Sequence, residues 1–541
     1  MIRNCLKKIK ETDRRTLLII IILFLFAFST RVIDIDRPYE TWDEVTTYSV
    51  GLNLWFNVAN LDFSLDSWSI SPHPPFARYV YGVINGGYVF SQTGTAILKM
   101  SYTDAVRTMF ELENYAPGRT LSALLAAGTT LLIFIITRRY FGMKTAVLSS
   151  FIFILLPASI AQTKLAALDA LLVFLFSLSV YFFMKTKENK KYFYLSAIVT
   201  GLAILTKFNA FSLFLLLPFI AYFDKMKITK KDALIYVVIS AVFVFILWPR
   251  IWWMIMDPGL FFENLSFWTN YSNINEFFLG SGYHPFYYAP TYVFVTLPVI
   301  MIVFTLFGIY SAYKKKDGMV FNAWFLVPLI AFMIFQLLSP SAISQGGPRY
   351  VFMIYPGLSI LISIGIFYVA DILKKRFDYS WDLIIPVLSI VYLIIIAILV
   401  HPFYIDYYNE AVGGPKNVYE NNLFAIGQWG EGIGDGAKYV YSVAEEGSSV
   451  QFFVMPRHVI PPLREDMIDA TPYIPKYMSD TGEHQNWYMT DVIAEADYIV
   501  ENTFFRIHLN ETFHELIQND YELIRIVEVQ GAPLAWVYKK N

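Results

Sequence analysis

Two neighbouring acidic residues, Asp43 and Glu44, follow closely on the first long apolar run of the chain, at residues 17–28. Charge so close to a membrane is costly unless it serves structure or chemistry. A carboxylate there can act as a general base on an acceptor hydroxyl, or help to hold a divalent cation. Acidic residues are also favoured in the first turn of a helix. The pair alone supports a catalytic role or a capping role, and capping would also fix the direction of a catalytic carboxylate.

A third acidic residue, Asp169, opens the fourth long apolar run, on the side of the membrane where Asp43 is expected. A charge at the centre of a membrane helix costs about 2.5–3.5 kcal/mol on insertion scales, and less near the interface. Asp169 is therefore either a tolerated boundary residue or a second acid of the site. Asp43 and Asp169 together would supply oxygen ligands for Mg²⁺ or Mn²⁺, or divide the roles of base and orienting group.

Basic residues gather on the same side. The double proline of His73-Pro-Pro-Phe-Ala-Arg78 sets a rigid start to a helix, with Arg78 close behind it. An arginine fork suits a phosphate, although a solvated arginine explains the same pattern. The other cationic positions at outer loops or span ends are Arg119, Lys164, Lys207, Arg250, His284 and Arg349. Such charges usually line a polar cavity in membrane proteins, where they would stabilise a leaving phosphate, although each alone could be an interfacial anchor.

The composition is that of a membrane protein. Of the 541 residues, 56% are hydrophobic and 16% are charged, whereas soluble domains carry about 25% charged residues. The net charge of −2 leaves no basic surface to neutralise phosphates, which argues against a nucleic-acid partner. The single cysteine, Cys5, excludes a disulfide within one chain.

Apolar runs long enough to cross about 30 Å of hydrocarbon recur up to residue 400, and they predict about eleven spans. Clusters of lysine and arginine occupy alternate loops, which the positive-inside rule places in the cytoplasm. These loops are 138–144, 185–191, 225–231, 314–316 and 374–376. The sequence therefore predicts a polytopic α-helical protein of the cell membrane with a cytoplasmic N-terminus and an outer C-terminus.

Two outer regions are large. Residues 34–118 form the first outer loop, in which Tyr48, Leu52 and Trp55 continue a helical face begun by Val45, and a second helix is expected after Pro75. Aromatic residues on such a face suit a helix lying in the membrane interface. In residues 402–541 the apolar runs shorten to strand length, which predicts a small α/β domain. We therefore divide the chain into a membrane domain, 1–401, and an outer domain, 402–541.

As a set, these motifs resemble the GT-C type membrane glycosyltransferases, in particular the PMT-like group of protein O-mannosyltransferases and lipid A aminoarabinose transferases. The resemblance covers residues 17–400. The tail around Trp429 resembles the outer domain of prokaryotic members. The motifs are the acidic pair, His73-Pro-Pro-Phe, Gly118-Arg-Thr-Leu-Ser-Ala, Arg138-Arg-Tyr-Phe-Gly142, Leu168-Asp169, Gly201-Leu-Ala-Ile-Leu-Thr-Lys207 and Arg349-Tyr350.

The resemblance implies the GT-C fold and an inverting transfer of a sugar from a polyprenyl- or dolichyl-phosphate carrier to a protein or lipid acceptor on the non-cytoplasmic face. It implies that Asp43 is the catalytic acid, Glu44 its acceptor-side partner and Asp169 the second acid. Arg119 corresponds to a residue that orients the acidic pair. We expect it at the donor phosphate together with Arg78, Lys207, His284 and Arg349.

The sequence departs from the family in ways that leave the acceptor open. Ala77-Arg78 stands where eukaryotic protein mannosyltransferases typically have Gly-Lys, and no loop is long enough for their β-trefoil modules. The Trp-Trp-Asp-Tyr-Gly motif of oligosaccharyltransferases is absent, which argues against en bloc transfer to asparagine. Two other classes stay open. A transporter or flippase of a lipid-linked sugar would bind without chemistry, and a receptor or assembly factor would act through residues 402–541.

Overall fold

The structure is a computed structural model. It describes residues 14–39, 41–68, 73–93, 116–263, 277–281, 285–316, 318–338, 346–453, 459–471, 473–475, 487–489, 495–506 and 511–541.

The described part of the chain before residue 401 is helical. Its α-helices in chain order are α1 (Arg14–Val32), α2 (Trp42–Ala59), α3 (Leu65–Trp68), α4 (Phe76–Thr93), α5 (Ala116–Leu155), α6 (Pro157–Lys164), α7 (Leu168–Lys185), α8 (Lys191–Ile204), α9 (Ser212–Phe223), α10 (Lys230–Leu247), α11 (Arg250–Met256), α12 (Tyr288–Thr296), α13 (Val299–Lys315), α14 (Met319–Leu338), α15 (Tyr355–Phe377) and α16 (Ile384–Val400). Two 3₁₀ helices, Phe208–Phe211 and Gly347–Ile354, precede α9 and α15.

Several of these helices suit a membrane. By length and composition, five can cross one in the described residues: α1, α5, α7, α14 and the run Gly347–Phe377. The pairs α10–α11 and α12–α13 bend by 104° and 117°, and they raise the number to seven if each pair is one span. Gly142, with a φ of 79°, divides α5 into two helices. The prediction of a polytopic helical membrane protein is confirmed in this form, and the number eleven stays a prediction.

The loops rich in lysine and arginine meet at one end of the helical bundle. Arg139 pairs with Glu188 at 3.1 Å, and the hydroxyl of Tyr140 donates to Asp224 at 2.8 Å. Lys190 pairs with Asp232 at 2.8 Å. Such exposed pairs add little stability, but they show which segments of the chain are neighbours. They put the bend of α5 near Gly142 beside the loops after α7 and α9, as a shared cytoplasmic face would require.

The two predicted helices of the first outer loop are confirmed as α2 and α4, and they pack closely. A methyl group added at Gly51 would overlap the carbonyl group of Arg78, and one at Gly82 would lie 2.6 Å from the backbone of Gly51. Only glycine permits this approach of two backbones. The crossing sets the position of Asp43, at the start of α2, relative to Arg78 on α4.

The region after residue 401 contains the predicted α/β domain. Its five-stranded sheet has the order β2-β1-β5-β7-β6, in which β1 is parallel to β2 and β5, and the other pairs are antiparallel. The strands are β1 (Ser449–Phe453), β2 (Ile468–Asp469), β5 (Tyr498–Asn502), β6 (Tyr521–Val529) and β7 (Ala532–Lys540), with β3 (Tyr473–Pro475) and β4 (Trp487–Met489) forming a separate pair. The helices are α17 (Gly414–Glu420), α18 (Ile433–Val443), α19 (Thr503–Arg506) and α20 (Glu511–Asp520). The last two strands form a hairpin that turns at Gln530 and Gly531, both with positive φ.

This domain docks on the helical bundle at the end opposite the basic loops. The side-chain amide of Asn409 donates to the carbonyl groups of Phe294 and Leu297, at 2.6 and 2.8 Å, where α12 ends. Trp429 packs with Leu165 and Ala167, between α6 and α7. The domain therefore reaches the segment that leads into Asp169.

Candidate active site

Four charged side chains that are far apart in the sequence meet at this end. The guanidinium group of Arg349 forms an ion pair with Asp43 through Nη2, and its Nε lies 3.4 Å from Asp169 Oδ2. Lys207 Nζ donates to Asp169 Oδ1 at 2.8 Å. Four of the acids and cations predicted from the sequence thus form one connected cluster, in which Arg349 links Asp43 and Asp169.

Two aromatic rings support the cations. The guanidinium carbon of Arg349 lies 4.5 Å from the ring centre of Trp429, and Lys207 Nζ lies 5.2 Å from that of Tyr350. Both distances suit a cation–π attraction, which strengthens when the cation is shielded from water. The rings restrict where the two positive charges can lie.

The four side chains differ in exposure. The Asp169 side chain is fully buried, and those of Lys207 and Arg349 are 8% and 13% exposed. The Asp43 side chain is 31% exposed. Asp43 is therefore the acid of this cluster that a second molecule can reach.

The first turn of α2 explains how Asp43 is presented. The backbone amide and the hydroxyl of Thr41 both donate to Glu44 Oε2, at 3.0 Å each. Glu44 thus carries out the capping that the sequence offered as one interpretation of the pair. Asp43 is left with its carboxylate directed to Arg349, so the capping and site interpretations hold for different members of the pair.

Glu44 also forms a buried ion pair with Arg119. Arg119 Nε and Nη2 donate to the two carboxylate oxygens at 2.7 and 2.6 Å, and the amide of Ala166 donates to Oε1 at 2.8 Å. Burial raises the pKa of Glu44, but Arg119 and the amide donors outweigh burial, so its pKa is lowered. The remaining guanidinium hydrogens of Arg119 bind the carbonyl groups of Ile35, Pro38 and Tyr39.

These contacts correct two expected roles, Glu44 as the acceptor-side partner and Arg119 at the donor phosphate, and they agree with the expected orienting role of Arg119. Both residues are 0% exposed. Their polar atoms are occupied by each other and by backbone groups, so neither meets a substrate phosphate or hydroxyl without breaking the pair. The arrangement makes them positioning residues, which join the first outer loop, α5 and the segment before α7.

Arg78 and His73 lie near the cluster. Arg78 is 7% exposed, and burial lowers its pKa to about 10, while the charge of Asp43 opposes this shift. Burial lowers the pKa of His73 well below its ordinary value, and the charges of Arg78, Lys207 and Arg349 lower it further. His73 is therefore a neutral imidazole among three cations. In the sequence it stood only as part of a turn motif.

The expected metal site does not fit the arrangement. A cation bound by Asp43 and Asp169 would have to displace Arg349, and Lys207 holds a further oxygen of Asp169. Within the described ranges no group of three His, Cys, Asp or Glu side chains could hold a metal. Among the predicted site residues, His284 lies outside the residues that the structure describes.

Sequence reasoning missed Trp429 as a site residue. The sequence marks Trp429-Gly-Glu-Gly only as part of a tail that resembles the outer domain of prokaryotic members. The stacking of Trp429 on Arg349 is a contact across the domain junction. The two glycines that flank Glu431 were a sequence signal for a constrained backbone, because glycine is favoured where φ is positive. Gly430 and Gly432 have φ angles of 91° and 84° in the structure.

The geometry can do two things chemically. Arg78, Lys207 and Arg349 lie close to Asp43 and Asp169, and guanidinium and ammonium donors of this kind suit a phosphate. Asp43 is accessible and can accept a proton once its arginine is engaged elsewhere. A phosphate site next to a carboxylate base is what displacement of a phosphate by a hydroxyl requires.

Comparisons with known proteins each match part of the sequence. Residues 105–253 match the family described as dolichyl-phosphate-mannose-protein mannosyltransferase. A protein of Aquifex aeolicus, described as uncharacterized, is 26% identical over 268 residues. That match covers 49% of this chain and 57% of the relative, so the chain spans a little over half of its relative's length.

Two solved structures are similar in outline. ArnT from Cupriavidus metallidurans bound to undecaprenyl phosphate is 13% identical, with 97% of each chain covered and a TM-score of 0.48. The protein O-mannosyltransferase Pmt1-Pmt2 complex of S. cerevisiae bound to the sugar donor is 18% identical, with a TM-score of 0.33 over 47% of this chain and 34% of that one. The family match, which spans Arg119, Asp169 and Lys207, confirms the resemblance to PMT-like membrane glycosyltransferases of the GT-C type.

Proposed function

We propose that the protein is an inverting glycosyltransferase that takes a sugar, mannose or a related one, from a polyprenyl- or dolichyl-phosphate carrier. The acceptor is a hydroxyl group of a protein, lipid or glycan on the non-cytoplasmic face. The observation that carries the proposal is the ion-paired cluster of Asp43, Asp169, Lys207 and Arg349 at the end of the bundle opposite the basic loops.

The donor phosphate binds to Arg78, Lys207 and Arg349. Arg349 then exchanges its contact with Asp43 for the two non-bridging phosphate oxygens, which its planar fork can bind as a pair. Asp43 is left as a free carboxylate beside the sugar. Binding of the donor and exposure of the base are thereby coupled through one side chain.

In the transfer, Asp43 accepts the proton of the acceptor hydroxyl. The acceptor oxygen forms a bond to C1 of the sugar as the bond from C1 to the phosphate oxygen breaks. The electron pair of that bond leaves with the lipid phosphate, whose charge Lys207 and Arg349 stabilise. Asp169 contacts neither reactant in this scheme, and it holds the two cations in place.

The first experiment measures transfer from a labelled polyprenyl-phosphate sugar in membranes containing Asp43→Asn. We expect transfer to fall by about 100-fold or more, because the variant has no base and proton transfer by a placed group contributes this much. Asp36→Asn, an exposed acid of the same loop, is the matched control and should keep the wild-type rate. Transfer by Asp43→Asn at the wild-type rate would refute the assignment.

The same preparation distinguishes a transporter. A flippase would move the labelled carrier between leaflets of a vesicle and leave the sugar on it, with or without Asp43.

Mass spectrometry of surface glycans and lipids from cells with and without the protein then identifies the sugar and the acceptor. Membranes lacking any product would favour the transporter class.

A further inference from the structure

A second pair of acids lies beyond the catalytic cluster, where the outer domain joins the bundle. Asp406 is 3% exposed and Glu431 is 1% exposed. The amide of Gly427 donates to Asp406 Oδ1, and the amide of Trp429 donates to Glu431 Oε2, both at 2.8 Å. The other two oxygens, Asp406 Oδ2 and Glu431 Oε1, are buried without a hydrogen-bond partner among the described residues.

Leaving two buried carboxylates in this state is unfavourable. Burial raises the pKa of Asp406 well above its ordinary value, and the charge of Glu431 raises it further. Burial likewise raises the pKa of Glu431, to about 7. Buried charges in proteins are generally paired or coordinate a metal, and the hydrogen-bond donors to these two carboxylates in the described residues are backbone amides.

Both carboxylates line the same cavity. It has a volume of about 30 Å³ and lies between the bundle and the outer domain. This is room for one water-sized particle. The side chain of Gln428 also lines it, with a buried Nε2 that has no partner in the described residues. A half-turn of the Gln428 amide would present its oxygen instead, since the two orientations differ little in heavy-atom shape.

We propose that this cavity binds one divalent cation of the hard, oxygen-preferring class, Mg²⁺, Mn²⁺ or Ca²⁺, between Asp406 Oδ2 and Glu431 Oε1. Such ions take carboxylate, amide and water oxygens, which is the chemistry that the cavity offers. A divalent cation neutralises both carboxylates. One shared proton would leave a net negative charge buried in the junction.

The position of the cavity gives the cation a structural purpose. Gly347 and Pro348, which lead directly into Arg349, line one side of it, and Trp429 lines the other. The cation would therefore hold together the two segments that fix the guanidinium group of Arg349. The proposal concerns binding and stability of the junction, and it stands whether or not a sugar is transferred.

The test uses the full chain, purified in detergent and stripped with a chelator. Mn²⁺ is titrated in and counted by paramagnetic resonance, with elemental analysis after removal of free ion. We expect one bound Mn²⁺ per chain, with a dissociation constant raised by about tenfold or more in Asp406→Asn and in Glu431→Gln. The unfolding temperature of the wild type should be higher in Mn²⁺ than in chelator, whereas that of the double variant should be the same in both.

Matched variants separate this site from the catalytic cluster. Asp43→Asn and Asp169→Asn should keep the wild-type stoichiometry and affinity for Mn²⁺, because neither lines the cavity. Should the Asp406 and Glu431 variants fail to fold, Tb³⁺ replaces Mn²⁺ in wild-type protein, and its emission on tryptophan excitation should fall in Trp429→Phe. The proposal is overturned if the wild-type chain binds no ion at millimolar Mn²⁺, or if binding is lost with Asp43 or Asp169.

Discussion

Arg349 contacts both acids of the candidate site and a tryptophan of the outer domain. It pairs with Asp43, approaches Asp169 to 3.4 Å through a different nitrogen, and stacks on Trp429. A flat guanidinium group with several donors can make these contacts at once, whereas the single ammonium of lysine cannot. The exchange of partners proposed for donor binding depends on this geometry as well as on charge.

We therefore expect Arg349→Lys to lower kcat/KM for the lipid-phosphate donor by about 100-fold, the cost of removing one donor that stabilises a transition state. The charge is kept, so a purely electrostatic role would give a small effect. Arg376→Lys, on the basic side of the bundle, is the control. Steady-state kinetics with labelled donor check the expectation, and an unchanged kcat/KM in Arg349→Lys contradicts it.

Substitutions of the neighbouring residues Glu44 and Asp43 should differ in their effect on stability. Glu44→Gln removes the charge that balances buried Arg119, and breaking such a pair typically costs about 3–5 kcal/mol. Asp43→Asn alters a partly exposed side chain, so its effect on stability should be small. Thermal unfolding of the two variants in detergent gives the comparison. Equal unfolding temperatures for the two would mean that the buried pair does not hold the loop.

Sequence reasoning at this scale succeeded where a residue type and a motif coincided. Asp43, Asp169, Lys207 and Arg349 were selected because charge at the end of an apolar run is unusual, and the structure brings them together. The sequence did not predict that Glu44 would cap the helix while Asp43 would face Arg349. That difference depends on Arg119 reaching back from α5, which no spacing along the chain reveals.

At the scale of elements, apolar spacing predicted α2 and the double proline before Phe76 predicted α4, but neither predicted the bends of the later helices. Between Tyr288 and Lys315 the structure has a short helix, α12, and a bend of 117° before α13. Pro298 caps α13, and Pro249 stands between α10 and α11. Hydropathy continues through each bend, because both helices of a pair are apolar. Proline marks such a break without giving its angle.

The crossing of α2 and α4 offers a test at this scale. Gly51→Ala would push its methyl group into the carbonyl of Arg78, and such overpacking costs about 1–3 kcal/mol. Because the two helices carry Asp43 and Arg78, we expect a lower unfolding temperature together with reduced transfer. Gly87→Ala, on α4 with nothing within 4 Å of the added carbon, should be neutral. Equal behaviour of the two variants would show that the crossing tolerates separation.

At the scale of the whole molecule, the basic loops and the candidate site occupy opposite ends. Composition and the loop charges predicted this polarity, and shortened apolar runs predicted the sheet after residue 401. The docking of that sheet was not predictable from local pattern. It depends on single long-range contacts, such as Asn409 with the carbonyl groups at the end of α12. The entry of Trp429 into the site follows from that docking.

The junction should also make stability depend on pH. The pKa of Glu431 is raised from 4.5 to about 7 in the folded protein, so the folded state holds this proton more tightly than the unfolded state. Its contribution is fully present below pH 4.5 and is lost as pH rises toward 7. At ~1.4 kcal/mol per pKa unit, the loss amounts to a few kcal/mol. We expect the unfolding temperature in chelator to fall over this range in the wild type, and to fall less in Glu431→Gln. Glu465→Gln, an exposed change in the same domain, serves as the control. Parallel curves for wild type and Glu431→Gln would contradict a buried, protonated pair.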